Sequence, residues 1–161
     1  MLKNYQKRIV KISVQILFLI ISLIFIYFKP FYVVKVVGDS MEPTILRDSI
    51  VIATTLNKNY SAGDVVIVEQ GGNTIIKRVA FVEKQKFFCL DLGYRRYQPA
   101  PVIKDMQHQI NYLRKFGVNA YIYEVPPKQV FLLGDNEIES EDSRVFGSVP
   151  LQNIKGKIIY Y

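Results

Sequence analysis

One serine in this chain stands where a nucleophile could be held. Residues Val37–Thr44 read Val-Gly-Asp-Ser-Met-Glu-Pro-Thr, and the run before them, Phe31–Val37, is β-branched and aromatic like a strand. Gly38 gives the backbone freedom for a tight conformation at the strand exit, so that Ser40 projects from a rigid edge just before a proline turn. The same letters also fit a helix start, with Asp39 or Ser40 as cap and Glu42 three residues after Asp39 as in a capping box. A serine hydroxyl attacks only when something removes its proton. His108 is the single histidine, so a Ser-His-Asp arrangement around Ser40 requires that one residue, and a multi-histidine metal site is excluded.

Two further stretches decide between these readings: Ile75-Ile76-Lys77-Arg78-Val79, and Gly134-Asp135-Asn136 continuing to Ser140 and Asp142-Ser143-Arg144-Val145-Phe146-Gly147. Together with Ser40-Met41-Glu42-Pro43-Thr44 and Gly63-Asp64-Val65-Val66, these stretches, in this order, resemble type I signal peptidase in its Gram-positive form. The resemblance covers most of the chain outside residues 84–126. It implies a serine endopeptidase with Ser40 as nucleophile and Lys77 as general base. Ser140 would hydrogen-bond the Lys77 amine, and Asp142 and Arg144 would form a supporting ion pair beneath the dyad.

A lysine is a base only when neutral, so Lys77 must lose solvation among apolar neighbours, which lowers its pKa. Ile75, Ile76 and Val79 flank it, although strand alternation puts Ile76 and Arg78 on the face opposite Ile75 and Lys77. The Ser40 amide is the first donor for the oxyanion. Some relatives add a hydroxyl two residues before the nucleophile; here that position is Gly38, so a second donor must be backbone or water. Gly38 also admits a close substrate backbone, and an extended peptide could join Phe31–Val37 as an added strand. The resemblance implies pockets for small side chains lined by Val34, Val36, Met41 and Ile76. Two departures stand out: Ala80–Gln85 replaces the Pro-Gly-Asp turn usual after the base, and Glu137-Ile138-Glu139 replaces a common Arg-Asp-Asn.

The elements that must position these residues follow from periodicity. Strand signals cover Phe31–Val37, Ser49–Thr55, Asp64–Glu69, Thr74–Val82, Lys86–Leu90, Gln129–Leu133 and Lys155–Tyr161, with a hairpin at Gly71-Gly72-Asn73. Met106, Ile110 and Leu113 recur at helical spacing between Asp105, a possible N-cap, and Gly117. The fold class is therefore mainly β, a single signal-peptidase-like antiparallel domain behind one N-terminal transmembrane helix.

That helix is read over Ile12–Phe28, a run with no charge. Its seventeen residues at about 1.5 Å each span roughly 26 Å, the short end for a bilayer core. No small-x-small site follows it, which favours a retained anchor over a cleaved leader. Lys3, Lys7, Arg8 and Lys11 precede it, so the positive-inside rule puts residues 1–11 in the cytoplasm and residues 29–161 outside the plasma membrane. The net charge of +7 comes from scattered lysines and arginines, which fits a membrane surface and not nucleic acid. No cofactor is implied. The partners implied are signal peptides of exported preproteins, membrane lipid and the secretion machinery. Cys89 reads as a buried small hydrophobe. Two other readings are a non-catalytic helper of pilus assembly or secretion on the same fold, and a self-cleaving repressor, which would need a DNA-binding segment where this chain has its apolar span.

Overall fold

The computed structural model describes residues 2–28, 30–91, 97–100 and 106–161. Helix α1 runs over Leu2–Phe28, and its stretch Tyr5–Tyr27 is long and apolar enough to cross a membrane, with a mean hydropathy of 2.7 and none of it buried against the rest of the chain. The helix thus begins well before Ile12, because basic residues with long apolar stems do not interrupt a helix. Ser22 meets its own polar need within the helix by donating to the Phe18 carbonyl at 2.9 Å.

Ten strands and two short helices follow. In chain order they are β1 (Phe31–Lys35), β2 (Ile50–Thr54), β3 (Val65–Gln70), β4 (Asn73–Val82), β5 (Lys86–Asp91), β6 (Tyr97–Ala100), helix α2 (Met106–Lys115), β7 (Asn119–Glu124), β8 (Gln129–Leu133), helix α3 (Ser143–Phe146), β9 (Val149–Pro150) and β10 (Ile154–Tyr160). All recorded pairings are antiparallel, in a seven-stranded sheet ordered β1-β2-β10-β3-β4-β8-β9 and a three-stranded sheet ordered β6-β5-β7.

The seven strands read from the sequence are all present within one or two residues of their bounds. The β3–β4 hairpin turns on Gly71 and Gly72 at φ 57° and 81°, as a two-residue turn with both centres left-handed requires. Strands β6, β7 and β9 and helix α3 are additions: each is short, and β7 alternates apolar and polar residues within a region punctuated by prolines. The expected cap at Asp105 lies outside the described residues, while Gly117 ends α2 at φ 77°.

Alternation along β4 divides the large core. Ile76 packs with Val36, Met41, Ile45, Val65 and Ile67 on one face, and Ile75 and Val79 pack with Val66, Val68, Val130 and Leu132 on the other. Beyond Val79 the β4–β8 register shifts at a bulge, and β4 continues to Phe81, which stacks on Phe87 at 4.0 Å between ring centres and so ties the small sheet to the large one. Where a Pro-Gly-Asp turn is usual, this strand simply runs on.

Candidate active site

Ser40 sits in the turn between β1 and β2. Val36, Met41 and Ile45, each under 5% exposed, anchor that turn in the core, and Val36 exchanges backbone bonds with Ser49 and Asp48 at 2.9 Å each. Inside the turn the Glu42 amide donates to the Asp39 carbonyl at 3.0 Å and the Ile45 amide to Met41 at 2.9 Å. The Arg47 guanidinium grips the Asp39 carboxylate through two bonds, which hold that carboxyl below its usual range. Gly38 does not take the left-handed conformation, and a Cβ there would meet nothing within 4 Å. The tight backbone expected there is absent; Gly38 instead leaves open space beside Ser40.

A groove of about 360 Å³ passes Ser40 and is lined by Val34, Val36, Gly38, Met41 and Ile76 with neighbours in β1 and β4. The five residues read as the substrate side of the site therefore converge on one groove with the serine. Lys77 is not among its walls, although β4 carries it directly after Ile76. It is only 3% exposed. Burial pushes its amine below the ordinary lysine range; Asp142 opposes this, Arg144 adds to it, and Glu141 and Asp135 oppose it more weakly. No hydrogen bond or ion pair reaches the Lys77 amine from the described residues, so the structure shows no direct bond from it to Ser40.

Gly134 is where the two sides meet. Arg78 pairs with Leu133 across β4 and β8, and one step along that register sets Gly134 beside Lys77. A Cβ on Gly134 would lie 2.1 Å from Ser140 Oγ and 2.5 Å from the Ser40 carbonyl oxygen, so only glycine allows the three segments to close in.

Behind this junction Asp142 is fully buried. It accepts from the Gly134 amide and the Ser140 hydroxyl at 2.9 Å each, from the Arg144 amide at 3.1 Å, and from the Arg144 guanidinium at 2.9 and 2.8 Å. Burial alone would raise its carboxyl, but the Arg144 guanidinium and the two amides outweigh it and hold it below the usual range. The Asp142–Arg144 ion pair is thus present. Ser140 donates its hydroxyl proton to Asp142, whose buried carboxylate is a strong acceptor, and no bond between Ser140 and Lys77 is found among the described residues.

Several residues went without a role in the sequence reading although the motifs contain them. Arg78 makes two bonds to Asp135, at 2.8 and 2.6 Å, and a third to the Gly63 carbonyl at 2.8 Å. Ser143 Oγ accepts from the Leu132 amide at 2.9 Å. Asn136 donates its amide to the Ser40 carbonyl at 3.0 Å and its side chain to the Asp39 carbonyl at 3.2 Å. For Arg78 and Ser143 the available signal was adjacency, to Lys77 and to Asp142 and Arg144; for Asn136 it was only membership of the Gly134-Asp135-Asn136 stretch. Among the described residues no three His, Cys, Asp or Glu side chains converge as a metal site.

Comparison with known proteins places the chain in a family. Residues 6–161 match the family described as signal peptidase, peptidase S26. The mitochondrial inner membrane protease subunit 1 of Mus musculus is 31% identical over 134 residues, covering 80% of this chain and 67% of its own. A probable signal peptidase I-1 of Synechocystis sp. is 27% identical over 162 residues, covering 88% and 78%. The signal peptidase I U of Bacillus subtilis is 28% identical over 153 residues, covering 88% and 79%.

Proposed function

This chain belongs to the S26 signal peptidase family, and on that premise we propose that it removes signal peptides from exported preproteins with Ser40 as nucleophile and Lys77 as general base. The observation that carries the assignment is Lys77 itself: a lysine 3% exposed, beside the junction that holds Ser40 and Ser140, with its amine shifted toward neutrality by burial.

Ser40 Oγ attacks the scissile carbonyl while Lys77 takes its proton, and the Ser40 amide faces the oxyanion that forms. Lys77 then gives the proton to the departing amine, which leaves an acyl-enzyme. Water deprotonated by the same lysine releases the signal peptide. Ser140 and Arg144 act through Asp142, which fixes the loop beside Lys77. Ahead of the cut, the peptide lies extended in the groove, with small side chains against Val34, Val36, Met41 and Ile76, and with β1 offering its unpaired edge.

Helix α1 anchors the enzyme. Residues 1–11 lie in the cytoplasm, 12–28 cross the cell membrane and 29–161 form the extracytoplasmic catalytic domain, of which about 84–126 is a variable middle region. Directly after the helix, Phe31, Val33 and Ile50 are exposed, and this apolar face rests on lipid where the secretion machinery delivers its substrates. Activity falls with pH, because protonated Lys77 cannot accept the serine proton.

The test is cleavage of a preprotein bearing an Ala-x-Ala site by the membrane-reconstituted wild type, Ser40→Ala and Lys77→Ala, with product ends located by mass spectrometry. Cutting at that site by the wild type alone supports the reading. Equal cutting by Ser40→Ala, or none by the wild type, overturns it.

A further inference from the structure

We propose that Asn136 is a positioning residue that aims the oxyanion donor. This rests on the reading of Ser40 as nucleophile and extends it to a residue 96 positions away in the chain. A peptide unit is planar, and in its trans form the carbonyl and the amide point in opposite directions. Among the described residues the one cis peptide is Glu42-Pro43, so the Asp39–Ser40 unit is trans: fixing the Asp39 carbonyl fixes where the Ser40 N–H points. Two donors fix it, the Asn136 side chain at 3.2 Å and the Glu42 amide at 3.0 Å. The first comes from the loop after β8 and the second from the nucleophile's own turn.

The next peptide unit is held from the same place, because the Asn136 amide donates to the Ser40 carbonyl at 3.0 Å. Asn136 therefore grips the carbonyls of both peptide units flanking the Ser40 α-carbon, and no hydrogen bond from the Ser40 N–H is found among the described residues. Its remaining polar atom is also engaged, as Oδ1 accepts from the Glu139 amide at 3.4 Å. Apart from Ser40 itself, none of these bonds involves a residue that lines the groove, and none involves Lys77. The design separates functions: Asn136 sets the direction of a dipole that matters when negative charge develops on the carbonyl oxygen, and it has no part in binding the ground state.

The experiment uses the full chain in membranes with the Ala-x-Ala preprotein, and compares Asn136→Ala and Asn136→Asp. Asn136→Asp keeps the backbone amide, the size and the Oδ1 acceptor but presents an oxygen to the Asp39 carbonyl where the donor was. Both variants should lose roughly ten- to hundredfold in kcat, with KM within about twofold and, in Asn136→Ala, which adds no charge near Lys77, the acid limb of the pH profile unmoved. A peptide aldehyde ending in Ala-x-Ala, whose adduct with Ser40 places an oxyanion-like oxygen at the same donor, should weaken by a similar factor, while the cleaved signal peptide binds as before. Full kcat in Asn136→Asp overturns the proposal even if Asn136→Ala is impaired, and so does a rise in KM at unchanged kcat. Ser40→Ala in the same assay tests the underlying reading: if it cuts like the wild type, that reading fails, whereas loss in Ser40→Ala with normal Asn136 variants sinks only the positioning role.

Discussion

The two sheets of this molecule are held together by different means. The seven-stranded sheet buries Lys77, Asp142, Ser143 and Thr54 among its aliphatic residues. The three-stranded sheet packs on rings instead: Phe87 lies within 4.0 to 5.2 Å of Phe81, Phe131 and Tyr123, and no buried charge is found there among the described residues. Burying a polar group costs free energy unless its bonds are completed. The large sheet bears that cost at one corner, where Asp142 collects five bonds and Lys77 none from the described residues. Stability alone does not require such an arrangement, whereas proton transfer does. The small sheet serves as a brace for the end of β4.

The largest effect that separates the two regions is on rate. Ser40→Ala and Lys77→Met should each lower kcat by at least about a thousandfold, as removal of a nucleophile or its base does elsewhere, without lowering the melting temperature. A Lys77→Met enzyme retaining a tenth of wild-type turnover would break the assignment of chemistry to this corner. Next comes Asp142→Ala, which leaves the Arg144 guanidinium and the Gly134 amide buried without their acceptor and should cost about 3–5 kcal/mol of stability in denaturant titrations. Glu124, in the small sheet, pairs with Lys86 at 3.1 Å with both side chains more than half exposed; Glu124→Ala should cost under about 1 kcal/mol.

The same contrast explains what was legible in the sequence. Strands of the large sheet announce themselves because their β-branched runs are bounded by turn residues, and Ser40, Lys77, Asp142 and Arg144 stand in motifs whose spacing is distinctive. The small sheet was half read: β5 is an aromatic run, but β7 alternates weakly and β6 holds a proline. Within the site, sequence order cannot say which partner a polar group will choose. Ser140 pairs with Asp142 where Lys77 was expected, because burial of the carboxylate is a property of the folded chain. The hold of Asn136 on Asp39 and Ser40 spans 97 and 96 positions, and no local pattern encodes it.

A smaller effect sharpens the role of the brace. Phe87→Leu keeps an apolar group but loses ring contacts, so stability should fall by about 1–2 kcal/mol while kcat on the preprotein stays within twofold. A tenfold loss of kcat in this variant would show that the small sheet shapes the site and does not merely support it.

The smallest effect is a slope, and it distinguishes the two buried charges from each other. Lys77 binds its proton less tightly in the folded state than in the unfolded one. Between that lowered value and the ordinary lysine pKa of about 10.4 the unfolded chain holds more protons, so stability rises with pH through this window. Asp142 behaves conversely: its carboxyl is held low in the folded state, so its contribution is complete above the ordinary aspartate pKa of about 3.9 and is lost as pH falls through the lower folded value. Melting temperature measured against pH in detergent should therefore climb on the alkaline side in the wild type and be flatter there in Lys77→Met. Asp142→Asn should flatten the acid side and, by removing a charge that opposes the lowering of the Lys77 amine, widen the alkaline climb, while Phe87→Leu should shift the whole curve down without changing its shape. An alkaline slope in Lys77→Met equal to that of the wild type would mean that the amine is solvated, and would remove the physical reason for calling it a base.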